Sequence, residues 1–76
     1  MERRIPPAER RVRQRLAANV RRLREKRGLT IMDASERVHI HWRLWQKVEA
    51  GDTNATIQTL VRVAEALGVD ARDLFV

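Results

Sequence analysis

Between Leu29 and Gly51 the chain reads LTIMDASERVHIHWRLWQKVEAG, and this stretch constrains the fold more than any other. Apolar residues recur at helical spacing on both sides of His39-Ile40-His41, a gap short enough to be only a tight turn. Thr30 offers a hydroxyl to cap a helix from about Ile31 to Val38, with Asp33 at capping-box distance. Ile40 points inward from the turn. A second helix runs from Trp42 to about Ala50 and stops at Gly51. Its inward stripe is Leu44, Trp45 and Val48, which leaves Trp42, Arg43, Gln46, Lys47 and Ala50 facing out.

Two helices this short need neighbours to be stable, and the flanking sequence supplies them. Residues 1–7, MERRIPP, read as a flexible basic arm, because charge and two prolines leave little to bury. Residues 8–76 read as one domain that opens on an N-terminally extended first helix. Pro7 suits the first turn of that helix, Gly28 ends it, and Val12, Leu16, Val20 and Leu23 share one face. A polar loop from Asp52 to Ala55 leads to Thr56, the cap of a fourth helix with the stripe Ile57, Leu60, Val61, Ala64 and Leu67, closed by Gly68. Asp70 caps a last short helix that delivers Leu74 and Phe75 to the core. The expected fold is an all-α, five-helix domain without strands or repeats.

Charge is unevenly placed. Of the net +6, residues 1–27 hold eleven Lys/Arg against three Glu, and residues 28–76 hold five against seven Asp/Glu. A basic first third implies an anionic partner: DNA, RNA or an anionic membrane. Membrane adsorption is disfavoured because the first helix needs its narrow apolar stripe for the core. RNA is disfavoured by the absence of Tyr and the scarcity of aromatic surface for base stacking. Without cysteine there is no disulfide framework and no thiolate metal site, and His39 and His41 have no further ligand nearby. No metal or other cofactor is expected. No membrane-length apolar run or signal peptide is visible, so a soluble, cytoplasmic protein is expected. No Gly-rich phosphate loop or Ser/His/acid arrangement stands out, so an enzyme is not expected.

The outward stripe of the third helix carries the chemistry. Arg and Lys pair with guanine O6 and N7, and Gln with adenine N6 and N7; any surface helix is also charged, and a merely solvated face is the bland alternative. Trp42 has three readings: packing on a thymine methyl or sugar, anchoring a protein interface, or folding back over the second helix. Arg24 continues the Leu16–Val20 ridge and Glu49 lies one step past Trp45, so both point toward the junction of the first and third helices and are expected to pair. The alternative is that each reaches water separately. Arg3, Arg4, Arg10, Arg11, Arg13, Arg15, Arg21, Arg22 and Arg27 form a cluster that tracks phosphates, reaches into the minor groove as an arm, or coats a solvated helix.

NVRRLREKRGLT at 19–30, VHIH at 38–41, WQKVEAG at 45–51 and TIQTLVRVAEALGVDARDLF at 56–75 together resemble the phage-repressor/Cro (Xre-type) helix-turn-helix family, over roughly residues 16–75. The resemblance implies a lambda-repressor-like five-helix bundle that binds double-stranded DNA as a transcriptional regulator, commonly a repressor-like homodimer. It implies Trp42, Arg43, Gln46 and Lys47 facing bases, Thr30, Thr53 and Asn54 near phosphates, and Arg24 with Glu49 as an interhelical ion pair. His41, Arg10 and Arg11 are assigned to phosphates with them. The chain departs from the family pattern at Ile31, in place of a frequent Gln, at Ser35, in place of a small Ala, and at His39, in place of a turn Gly. Trp42 and Leu44 replace small or polar residues. These departures suit an alternative, a protein-interaction module that uses Ile31, Met32, Trp42 and Leu44 as its anchor patch.

Overall fold

The computed structural model describes residues 4–76; Arg3 and the rest of residues 1–3 of the expected arm lie outside the described residues. Four α-helices follow one another: α1 (Pro7–Lys26), α2 (Ile31–Arg37), α3 (Trp42–Ala50) and α4 (Ile57–Leu67). A single 3-10 helix, Ala71–Phe75, closes the chain, and no strand occurs among the described residues. The fifth element is therefore a tight 3-10 turn and not an α-helix. Its five residues are held at their start by an Asp70–Asp73 capping box, and runs this short are common for 3-10 geometry.

Each α-helix stops for the same local reason. The residue after its last turn adopts a left-handed conformation, and the next N–H bonds back five residues: Leu29 to the Arg24 carbonyl, Ile40 to Ser35, Asp52 to Lys47, and Val69 to Ala64. Glycine fills the left-handed position in α1, α3 and α4, but in α2 it is His39, at φ 56°. A residue with a Cβ is disfavoured there by about 1–2 kcal/mol, only partly offset by the extra chain entropy that glycine loses on folding. His39→Gly should therefore raise stability by about 0.5–1 kcal/mol. A urea midpoint that stays put or falls would mean the imidazole makes up the strain through contacts.

The core gathers Leu16 and Val20 of α1, Ala34 of α2, Ile40 of the turn, Trp45 and Val48 of α3, Val63 and Leu67 of α4, and Leu74. Helix α1 lies across α3 and the closing turn, while α2 packs on both α3 and α4. Ser35 is buried, and its hydroxyl donates to the Met32 carbonyl at 3.0 Å.

Three apolar assignments are corrected. Val12 is 53% exposed, Ile57 79% and Val61 43%. The buried stripe of α4 is centred on Val63, with Leu60, Ala64 and Leu67 around it. It is thus turned away from Ile57 and Val61. On α1 the core begins at Leu16, and Val12 lies at its edge, bordering open grooves on either side that both include Phe75.

Candidate nucleic-acid interface

Helix α3 is held from below and free above. Trp45 and Val48 are fully buried. Beside them Glu49 takes two hydrogen bonds from Arg24, Nε to Oε2 at 2.6 Å and Nη2 to Oε1 at 3.0 Å. Arg24 Nη1 also donates to the Leu29 carbonyl at 2.8 Å, and Trp45 Nε1 donates to Glu49 Oε2 at 2.6 Å. This is the expected pair, enlarged by an indole and a carbonyl. The hydrogen bonding to Glu49 raises the Arg24 pKa above its ordinary value, against the opposing effect of burial. The anchor fixes α3 against α1, which sets the angle at which the outer face is presented.

That outer face consists of Arg43, Gln46, Lys47 and Ala50, all exposed. Neither Arg43 nor Lys47 forms an ion pair among the described residues. At the helix start, His41 Nδ1 accepts the Arg43 backbone N–H at 3.1 Å. In the neutral ring this places the proton on Nε2, the other nitrogen. The His41 ring stacks on Trp42, with centroids 5.8 Å apart and planes 26° apart, and Arg43 Cζ lies 5.3 Å from the Trp42 ring centroid. Trp42 therefore joins its own sequence neighbours in one cluster and keeps 36% of its surface exposed.

The remaining expected contact residues are spread around this face. Thr30 caps α2, where its Oγ1 accepts the Asp33 N–H at 3.0 Å while the Asp33 carboxylate accepts the Thr30 N–H at 3.2 Å. The Thr30 side chain first, and its backbone N–H second, hold the Asp33 carboxyl below the usual carboxylate range. Thr53, half-buried, and Asn54, exposed, lie in the loop between α3 and α4. Asn54 shares a shallow depression with Arg4, Ile5, Pro6, Glu9 and Arg13, so residues 4–6 and this loop meet on one side. Arg13 is committed there to Glu9 at 2.6 Å. Arg10 is exposed. Arg11 borders a different groove, with Ala8, Val12, Arg15 and Phe75. Of the alternative anchor patch, Ile31 and Leu44 pack against the core, which leaves Met32 and Trp42 exposed. No group of three or more His, Asp or Glu side chains among the described residues is arranged to hold a metal ion, and no described helix is long and apolar enough to cross a membrane.

Sequence reading missed Asn19. It is buried on α1, where its Nδ2 donates to the carbonyls of Leu74 and Val76, both at 3.0 Å, and its Oδ1 accepts from Arg22 at 3.3 Å. The available signal was a polar residue inside the apolar face between Leu16 and Val20.

No curated protein matches the chain. A family model described as a helix-turn-helix domain matches residues 15–75. Among solved structures, the chain is similar to a hypothetical transcription factor, NHTF, from Neisseria, with 25% identity, a TM-score of 0.83, and coverage of 100% of this chain and 86% of that one. It shares the fold of an HTH_3 family transcriptional regulator from Vibrio cholerae at 22% identity and a TM-score of 0.82, over 88% of this chain. The match spans 38% of the Vibrio protein's length. The α2–turn–α3 geometry and the family match agree, and the chain belongs to the helix-turn-helix domain family.

Proposed function

We propose that this domain binds double-stranded DNA through α3 in the major groove and regulates transcription as a repressor-like homodimer. One observation carries the reading. Helix α3 is anchored on one side by Trp45, Val48 and the Arg24–Glu49 pair, and on the other it presents Arg43, Gln46 and Lys47 exposed, with both cations free of ion pairs among the described residues. Side chains of these types match the donor and acceptor pattern of base edges in the major groove. Two solved structures with this fold are described as a transcriptional regulator and a hypothetical transcription factor, which supports the same role.

In this reading Trp42, Arg43, Gln46 and Lys47 meet bases. His41, through Nε2–H, and Thr53, Asn54, Thr30, Arg10 and Arg11 meet phosphates, which set position and most of the affinity. The dimer would form around the C-terminal end, where Val76 is 73% exposed and Phe75 borders the groove beside Val12.

A binding titration against a site selected from random duplexes tests the proposal. Arg43→Ala and Gln46→Ala should each lose about 1–3 kcal/mol on that site and much less on random duplex. Removing residues 1–11 should weaken all duplexes and flatten the salt dependence. The complex should sediment with two copies per site. A wild type without sequence preference, together with an Arg43→Ala variant of unchanged affinity, would refute DNA reading and favour a protein partner on Met32 and Trp42.

A further inference from the structure

The His41–Trp42–Arg43 cluster is more ordered than a solvated face requires. Three consecutive residues interlock. The imidazole of His41 stacks on the indole and accepts the Arg43 backbone N–H, and the Arg43 guanidinium returns over the same indole. An exposed arginine ordinarily gives up much rotamer freedom when it binds. Here the stack favours one position of the guanidinium beforehand, and a planar fork is the shape that pairs bidentately with guanine O6 and N7.

We infer that Trp42 and Arg43 form one reading unit whose target is a thymine beside a guanine. The inference rests on the DNA reading above. A guanidinium paired to guanine lies in the plane of that base pair. The next base pair lies about 3.4 Å along the axis. An aromatic ring whose centroid is 5.3 Å from the guanidinium carbon is thus within reach of the neighbouring pair. The apolar group that a neighbouring pair offers in the major groove is the thymine 5-methyl. Trp42 retains 36% of its surface for that contact, and Met32, 50% exposed, adds further apolar surface on α2. Arg43 is then the specificity residue for guanine. Trp42 has two roles: it positions Arg43 and it contacts the methyl. His41 positions both.

The test uses the whole chain and the site it selects from random duplexes. Deoxyuridine replaces each thymidine that neighbours a selected guanine, which removes the methyl and leaves every hydrogen-bonding group in place. At one of these positions the wild type should lose affinity about fourfold, the worth of one buried methyl. Trp42→Ala should bind the thymine and uracil duplexes equally. Arg43→Ala should lose the guanine preference and most of the response to uracil. Equal wild-type binding to thymine and uracil duplexes at every such position overturns the inference, as does a selected site whose guanines have no thymine neighbour. In either case a guanine preference lost in Arg43→Ala leaves the DNA reading standing. No sequence preference at all overturns both. The wild-type comparison needs no mutant, so a Trp42→Ala chain that fails to fold does not prevent a decision.

Discussion

Arg24→Ala is expected to lower the unfolding free energy by about 3 kcal/mol, a large share of what a domain of this size has. The guanidinium is the main partner of a Glu49 side chain that is only 7% exposed, and Arg24 itself is 14% exposed. Its loss leaves a carboxylate in a low-dielectric junction with the Trp45 indole N–H as its remaining donor. It also removes the donor to the Leu29 carbonyl. Acid or base chemistry on the arginine does not complicate the result. The stabilising contribution of a cation whose pKa is raised is complete below its unfolded value and disappears only above its folded one, and for Arg24 both lie beyond the alkaline range in which proteins are handled. The measurement is urea unfolding followed by circular dichroism. The double variant Arg24→Met/Glu49→Leu should recover part of the loss, because removing both charges abolishes the uncompensated one while the Trp45 indole N–H and the Leu29 carbonyl stay without their partners. A midpoint equal to the wild type in the single variant would show that the two charges are separately hydrated.

Asn19→Asp should cost about as much, roughly 3 kcal/mol, although it changes the side chain by a single group. The amide donates to the carbonyls of both Leu74 and Val76. A carboxylate in its place aims an acceptor at two acceptors in a buried site and tends to release the closing 3-10 helix from α1. The deficit relative to wild type should shrink as the pH is lowered. A carboxyl in such surroundings prefers its neutral form, so folding of the variant takes up a proton and gains as protons become available. Equilibrium unfolding at neutral pH and near pH 4 measures both effects. An undiminished midpoint at neutral pH would mean that the C-terminal carbonyls are satisfied by water and that Leu74 docks without the amide.

What was legible in the sequence, and what was not, divides by the range of the interaction. The capping residues Thr30 and Thr56 and the stop at Gly28 act within a few residues of themselves, and each lies where its local chemistry places it. The Arg24–Glu49 pair was also readable, because counting along two helical ridges brings both charges to one junction. Asn19 was not, since its partners lie 55 and 57 residues away and no local rule names them. Periodicity misled at Val12, Ile57 and Val61 because it identifies an apolar face without saying how much of that face finds a partner. On α4 the expected stripe took in Ile57 and Val61 and left out Val63, and packing against α1, α2 and the closing turn instead buries the face through Val63. On α3 the outward set Arg43, Gln46 and Lys47 followed from the helix having one buried side. The cluster formed by His41, Trp42 and Arg43 depends on side-chain rotations, which residue order does not encode.

The two tryptophans lie three residues apart and occupy opposite environments. Trp45 is fully enclosed, with its indole N–H bound to a carboxylate, while Trp42 is partly exposed between an imidazole and a guanidinium. The domain therefore carries two natural fluorophores with separable reports. The emission of Trp45 follows the integrity of the packed interior, and it is shielded from aqueous quenchers such as iodide. The emission of Trp42 is open to them and changes when something covers the outer side of α3. A quencher titration can thus distinguish occupation of that surface from loss of structure in the same cuvette, with no label attached.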